Sequence, residues 1–421
     1  MTTETTTSPP ARRAAPNPPA PRREAPILSS QRAGELNRSR VIRALYAGGP
    51  ASRSDLARRF GATRTTIGQI VQPLIDDGLI AEQPAPANGQ DGQNGQNGQR
   101  RTGKPARPIW FSAHGWQAAA VVLLPDGAQV ARVGADGHVF AVRRLAFPPE
   151  PAHQHVCHQI AQTITDLAGE PPNALRGIGV TVGGLVDTSA GRILAVKLAP
   201  WMNGLEIAPA LEQAAAAPAF LDVQPRAQAL GDLLFGLGRG LSTFGSIYVG
   251  EGIGAAFVIN GRLHAGRNGA GGEVGHTAVQ IGGPTCVCGL DGCWEALASR
   301  RWLRQEAANR GLPDPSGANG QWLADHANCA GARQLRRQYA THLAIGIANL
   351  QQTLALQTYI IHGDPTPNGE PLRQLVEQTV RERSYPAPGT TTSILLAEHD
   401  DHAALRGAAA IALSHLHHVA F

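Results

Sequence analysis

Three of the chain's five cysteines lie between Cys286 and Cys293, and with His276 they put one imidazole and three thiols within 18 residues. That ligand set suits a tetrahedral zinc ion, which takes cysteine sulfur and histidine nitrogen. Cys286-Val287-Cys288-Gly289 and Gly292-Cys293 supply glycines where the backbone must turn sharply around a small ion. Four protein ligands, His276, Cys286, Cys288 and Cys293, leave no open coordination position. The site is therefore expected to be structural, with Zn2+ contributing to folding rather than to chemistry. The clustering does not resemble the dispersed, even set of a disulfide-stapled secreted domain. Cys157 and Cys329 stand apart and read as ordinary core thiols.

At 421 residues and 42% hydrophobic content the chain exceeds what one core serves, since single cores stop growing near ~250–300 residues. Two or three domains are expected. No run approaches the ~18–20 uninterrupted apolar residues of a membrane helix. Met1 to Glu24 is rich in Pro, Thr and Arg, without the apolar centre of a signal peptide. A cytoplasmic protein with no membrane partner is the expectation.

Charge is divided unevenly along the chain. Residues 1–110 hold 16 Lys and Arg against 8 Asp and Glu, so of the totals of 37 and 32 the remainder holds 21 against 24. The basic excess sits wholly in the N-terminal quarter and would attract a polyanion.

Residues 1–33 have few large apolar side chains and are expected to be a disordered tail. After them, Asn37 is placed to cap a helix carrying Val41, Ile42 and Leu45 on one face until Gly48-Gly49-Pro50 stops it. Ser52 with Asp55 resembles a capping box, and Leu56, Ala57 and Phe60 give a second helix its buried side before Gly61. Thr63 caps a third helix, whose Ile67, Ile70, Val71 and Leu74 form a core stripe at helical spacing. Its other face carries Arg64, Thr65, Thr66 and Gln69 and no acid. Such a face can enter a major groove, where Arg pairs with guanine, Gln with adenine, and Thr meets thymine methyls or phosphates. Pro73 lies inside this helix and is expected to kink it past the reading end.

Residues 78–82 and 107–111 have the composition of two wing strands, with the Gln/Gly-rich stretch 84–101 as a long flexible wing tip. Lys104 and Arg107 then become candidates for phosphate or minor-groove contact. Residues 34–112 thus read as a winged helix-turn-helix domain. Beyond them, apolar runs Ala119–Leu124, Gly177–Val182, Ser246–Val249 and Ala255–Ile259 alternate with Ala- and Leu-rich helical stretches, which implies an α/β architecture.

Gly271-Gly272-Glu273-Val274-Gly275-His276, followed by Cys286-Val287-Cys288-Gly289-Leu290-Asp291-Gly292-Cys293-Trp294-Glu295, closely resembles the signature of the ROK family of bacterial sugar kinases and sugar-responsive repressors. Gly103-Lys104-Pro105 resembles the family's wing motif, and Gly177-Ile178-Gly179, Gly183-Gly184-Leu185-Val186-Asp187 and Gly250-Glu251-Gly252-Ile253-Gly254 match in order. The resemblance covers roughly residues 34–412. It implies that residues 113–421 form a two-lobed actin-like (ribonuclease-H-like) sugar-kinase fold, serving as effector and oligomerisation domain. It also implies that Glu273, His276 and Glu295 meet sugar hydroxyls, with His276 doubling as a metal ligand. Carboxylates accept from hydroxyls, and a metal fixes its histidine's orientation.

Phosphoryl transfer needs a carboxylate base and a small-residue loop for nucleotide phosphates. The resemblance implies that the base would be the Asp of an Asn-Asp pair, but those positions fall on Val223 and Gln224. Where kinases of the family carry a glycine-rich first phosphate loop, this chain has Val122-Leu123-Leu124, and Glu251 stands where a threonine is common, its carboxylate facing the phosphates. Asp222 shares a strand face with Gln224 and would restore a base after a slip in register. No catalytic residue is therefore assigned. The leading expectation is a sugar-responsive repressor, dimeric or tetrameric, on an inverted-repeat operator of double-stranded DNA. An active sugar kinase and a ligand-blind regulator are the alternatives.

Overall fold

The computed structural model describes residues 30–83, 107–168, 175–266, 271–385, 391–398 and 402–421. Three helices open it: α1 (Ser30–Gly48), α2 (Arg53–Phe60) and α3 (Arg64–Asp76). A short antiparallel pair follows, β1 (Ile80–Glu82) with β2 (Ile109–Phe111), in register Ile80 to Phe111. The caps are as the sequence suggests. Ser52 accepts from the Asp55 amide while the Asp55 carboxylate accepts from the Ser52 amide, both at 3.2 Å. Thr63 accepts from the Thr66 amide at 3.1 Å, and Gly61 closes α2 with φ of 60°.

Two local expectations differ. The first helix begins at Ser30, inside the stretch expected to be a tail, so Asn37 is an exposed interior residue and not a cap. Phe60 is 37% exposed rather than buried. Pro73 lies inside α3, which continues to Asp76, with the proline on the exposed face. The tail before residue 30, the wing tip 84–101 and Lys104 lie outside the described residues.

The first lobe contains β3 (Gln117–Leu124), β4 (Gly127–Gly134), β5 (Val139–Ala146), α4 (His153–Ala168), β6 (Leu175–Val182), a hairpin of β7 (Leu185–Asp187) and β8 (Arg192–Ala195), α5 (Ile207–Ala215) and β9 (Ala219–Val223). Its main sheet has the order β5-β4-β3-β6-β9, with β3, β6 and β9 parallel. Strand β3 is apolar from Ala118 onward because both its faces are covered. Ala118, Ala120 and Val122 join one core, while Ala119, Val121 and Leu123 meet Val156, Ile160 and Ile164 of α4 in another.

After α6 (Gln224–Phe235) comes the second lobe: β10 (Phe244–Val249), β11 (Ile253–Ile259), β12 (Arg262–His264), α7 (Trp294–Ala298), α8 (Arg300–Asn309), α9 (Gly320–Asp325), α10 (Ala330–Leu354), β13 (Thr358–Gly363), α11 (Gly369–Arg383) and β14 (Ser393–Leu396). Its sheet order is β12-β11-β10-β13-β14. The last helix, α12 (Ala403–Leu416), returns to the first lobe.

Helices α6 and α12 join the lobes. Their backbones touch: a Cβ on Gly407 would sit 1.6 Å from the Ala227 carbonyl oxygen, so only glycine permits this crossing. Buried Asp232 of α6 accepts from Ser246 at 2.7 Å and from His362 Nε2 at 2.9 Å, which fastens α6 to the second sheet. The core around α12 also takes in Ile42, Leu45, Tyr46, Ile67, Val71 and Leu74, so the helical head shares one apolar cluster with the first lobe.

Candidate functional site

The head presents the expected reading face. Arg64, Thr65, Thr66 and Gln69 are all exposed, while Ile67, Val71 and Leu74 on the opposite side are buried. Arg107 is drawn towards Glu82, at 3.7 Å, and stays 57% exposed.

Between β12 and α7 the chain loops back on itself through isolated bridges Ala278 to Cys293 and Thr285 to Asp291. This brings His276, Cys286, Cys288 and Cys293 together, with one ligand atom of each within 4.8 Å of the others. Cys288 Sγ lies 3.7 Å from Cys293 Sγ, and Cys286 Sγ lies 3.7 Å from His276 Nδ1. A tetrahedron with Zn–S bonds of ~2.3 Å has edges of about 3.8 Å, so these two pairs are spaced as neighbouring ligands of one ion would be. Burial pushes the Cys286 thiol up and the Cys293 thiol up to about 12, whereas the Leu290 backbone holds Cys288 down. Three thiolates coexist here only with a cation among them. It is Nδ1 of the His276 ring that lies nearest Cys286 Sγ.

Glu273 is exposed at the start of the turn that carries His276. Glu295 is buried on α7, accepting from the Ile253 amide at 3.1 Å and from Arg301 at 3.0 Å, and lies 3.8 Å from Cys286 Sγ. The lobes face each other at this point. A Cβ on Gly252 would lie 2.7 Å from Glu295 Oε2 and 3.8 Å from Leu198 Cδ1 of the first lobe.

The first-lobe side differs in kind. Val122 and Leu123 are buried strand residues, and Leu124 ends β3 in a tight turn to β4. Gln224 opens α6, its Oε1 near Gly183. Asp222 is paired with Arg226, which is 3% exposed, and also accepts from the Val223 amide at 2.7 Å. Its carboxylate is thus neutralised inside the lobe. Glu251 is likewise not the bare charge that its loop position suggests: Arg304 pairs with it and Arg300 stands 3.6 Å away. Arg300 in turn grips Asp364, with Nε at 2.6 Å from Oδ2.

Sequence reasoning missed these arginines. Arg300, Arg301 and Arg304 share the first turns of α8 and serve Asp364, Glu295 and Glu251 respectively. The only signal available was three arginines on one short helix, which does not tell which acids they reach.

Comparison with known proteins adds family context. The ROK family profile matches residues 126–415, and the MarR family profile matches residues 35–91. The xylose repressor of Bacillus spizizenii is 23% identical over 386 residues, covering 90% of this chain and 96% of its own. A glucokinase of Thermotoga maritima is 28% identical over 275 residues, 62% of this chain and 86% of its own. Among solved structures, a ROK family transcriptional regulator homologous to the MLC protein of E. coli superposes with a TM-score of 0.74 at 25% identity, covering 91% of this chain and 96% of that one.

Proposed function

Since the chain belongs to the ROK family, we propose that it is a DNA-binding transcriptional repressor whose hold on its operator is released when a sugar enters the cleft between the lobes. The observation that supports this is the pairing of an exposed, acid-free helix face with lobes that bring Glu295 beside the cysteine-histidine cluster and tie Asp222 to Arg226. Arg64, Thr65, Thr66 and Gln69 read base edges in the major groove, and Lys104 on the wing adds a phosphate contact. A homodimer, or a tetramer built from two, sets two such helices on an inverted repeat. The protein works in the cytoplasm, where that operator is.

Glu273 and Glu295 accept hydrogen bonds from sugar hydroxyls, and His276 adds its free Nε2. The contacts of Glu295 to Ile253 and Arg301 hold its carboxylate in one orientation and leave lone pairs for a ligand. His276, Cys286, Cys288 and Cys293 hold Zn2+, which supplies charge neutralisation and a fixed geometry.

Catalysis is not part of this reading. A general base must reach the substrate proton with a carboxylate that is free to take it. Gln224 is an amide, and Asp222 is tied to Arg226. The glucokinase relative keeps kinase activity as a second reading, which a coupled assay for ADP release on a panel of hexoses decides.

The primary test is a gel-shift titration against DNA upstream of the protein's own gene, at two salt concentrations. Tight binding at low salt that weakens steeply with added salt is expected. Absence of binding at low salt overturns the reading. A thermal-shift screen with pentoses, hexoses and N-acetylhexosamines then separates a sugar-released repressor from a ligand-blind one, since a ligand at 100 times its Kd stabilises by ~2.7 kcal/mol.

A further inference from the structure

The recognition helix is tied down at the end that does not read DNA. Asp77 caps α3, and Arg176 of β6 donates to its backbone carbonyl at 3.1 Å while standing 3.9 Å from its carboxylate. From the other side comes His417, the residue that ends α12. It is buried, its ring lies against Trp116 with centroids 5.9 Å apart, and its Nε2 sits 3.6 Å from Asp77 Oδ2. That nitrogen has no hydrogen-bond partner among the described residues, so a shift of under an ångström would close the contact. The turn after α3 is also pressed on the first lobe: a Cβ on Gly78 would meet the Gly115 carbonyl oxygen at 2.7 Å.

Further along the head, α1 is held elsewhere. Tyr46 donates to the Ala135 carbonyl at 2.7 Å in a buried contact, and Arg43 donates to the Gly261 carbonyl, in the second lobe, at 3.0 Å. The head therefore touches both lobes. Among the described residues, it is at Asp77 that the end of the recognition helix meets a charged group of the effector domain, Arg176, with the buried His417 ring on its other side. The grip comes from the sheet of the first lobe and from the end of the helix that crosses α6 between the lobes.

Leverage makes this contact matter. From Asp77 to Arg64 the helix is 13 residues, about 20 Å at 1.5 Å per residue. A tilt of ~10° about Asp77 moves the reading end by about 3.5 Å, close to the ~3.4 Å of one base-pair step. In a dimer that displacement is doubled across the two half-sites.

We propose that Asp77 is a positioning residue: held between Arg176 and His417, it fixes the tilt of the recognition helix and so sets the half-site spacing that the protein reads. This rests on the DNA-binding reading above. Asp77 touches no base; it acts through the direction of α3.

The test uses the full-length protein and a half-site selected by wild type from a random duplex library. Gel shifts are run on a single half-site and on inverted repeats whose half-sites are moved apart one base pair at a time. Wild type is expected to prefer one spacing, and Asp77→Asn and Arg176→Gln to flatten that preference tenfold or more while single-half-site affinity stays within threefold. His417→Gln serves as a third variant, and melting curves report whether each folds. A spacing profile in Asp77→Asn equal to that of wild type overturns the proposal, and so does an equal loss of affinity at every spacing. If wild type binds no duplex at low salt, the repressor reading falls and the proposal falls with it, an outcome distinct from binding with unchanged spacing.

Discussion

The two walls of the cleft carry opposite chemistry although they belong to one fold. On the second lobe, Glu295 lies beside the cysteine-histidine cluster and Glu273 begins the turn that carries His276. On the first lobe, Asp222 is paired with Arg226, and the end of β3 is filled by buried Val122 and Leu123. A binding wall needs only correctly placed acceptors, whereas a catalytic wall also needs an unpaired base. On the proposed reading, the first wall serves recognition and not turnover.

The largest expected effect comes from breaking the second wall. Cys288→Ser removes one of four ligands and should destabilise the protein by several kcal/mol, ~3 or more, because metal binding is folding free energy. Chelation with verified zinc loss should match it. A differential-scanning melt that is unchanged by either treatment would show that the cluster holds no structural ion. Breaking the first wall should cost about as much in stability: Arg226→Ala leaves Asp222 uncompensated in a mostly buried site, at ~2–4 kcal/mol after allowing for partial exposure of the acid. It should not yield a kinase. Nor should Gln224→Asp, since the β3 end still offers no phosphate loop; ADP release above background from that variant would mean that one residue alone separates the two walls.

A smaller loss, confined to the head, sharpens the contrast between binding and chemistry. Gln69→Ala and Arg64→Ala should each weaken specific operator binding by ~1–3 kcal/mol. Only the arginine change should also reduce the salt slope, by up to about one unit. A ratio of operator to scrambled-duplex affinity in the Gln69 variant equal to that of wild type would remove Gln69 from the reading face.

What the sequence disclosed follows from distance along the chain. The cysteine cluster, the Ser52–Asp55 box, the Thr63 cap and the buried stripe of α3 are all fixed by residues within a few turns of each other, and pattern alone located them. The start of α1 was misjudged because Asn37 has a capping side chain, while the helix actually draws on seven earlier residues whose propensity, not periodicity, extends it. The ion pairs that decide the cleft's chemistry are another matter. Glu251 meets Arg300 and Arg304 across about fifty residues, and the inward turn of Asp222 depends on where α6 leaves β9. The first arises only once the second lobe is assembled, so no local spacing encodes it; the second joins residues four apart, and what that spacing leaves open is that Arg226 ends up buried.

The smallest effect concerns how the walls respond to acid. Burial holds His342, His415 and His417 below the usual histidine value; Asp222 opposes this for His415 and Asp77 for His417 without overcoming it, while Arg38, His418 and Arg176 reinforce it at His417. In the unfolded chain each ring takes a proton near pH 6.5, but in the folded chain only at lower pH. Between those values the unfolded state binds more protons, so stability is fully present above about pH 6.5 and falls as the solution is acidified. The thiolate ligands of the second wall also take up protons in acid, and the two contributions must be told apart. His417→Gln does this, because Gln cannot titrate and lies away from the cluster. Its melting temperature should fall less than that of wild type between pH 7 and pH 5.5, with the difference between the two proteins constant above pH 7. Parallel curves for the two proteins would assign the whole acid response to the ligand cluster and the remaining groups, and would leave the contact of His417 with the head without a part in it.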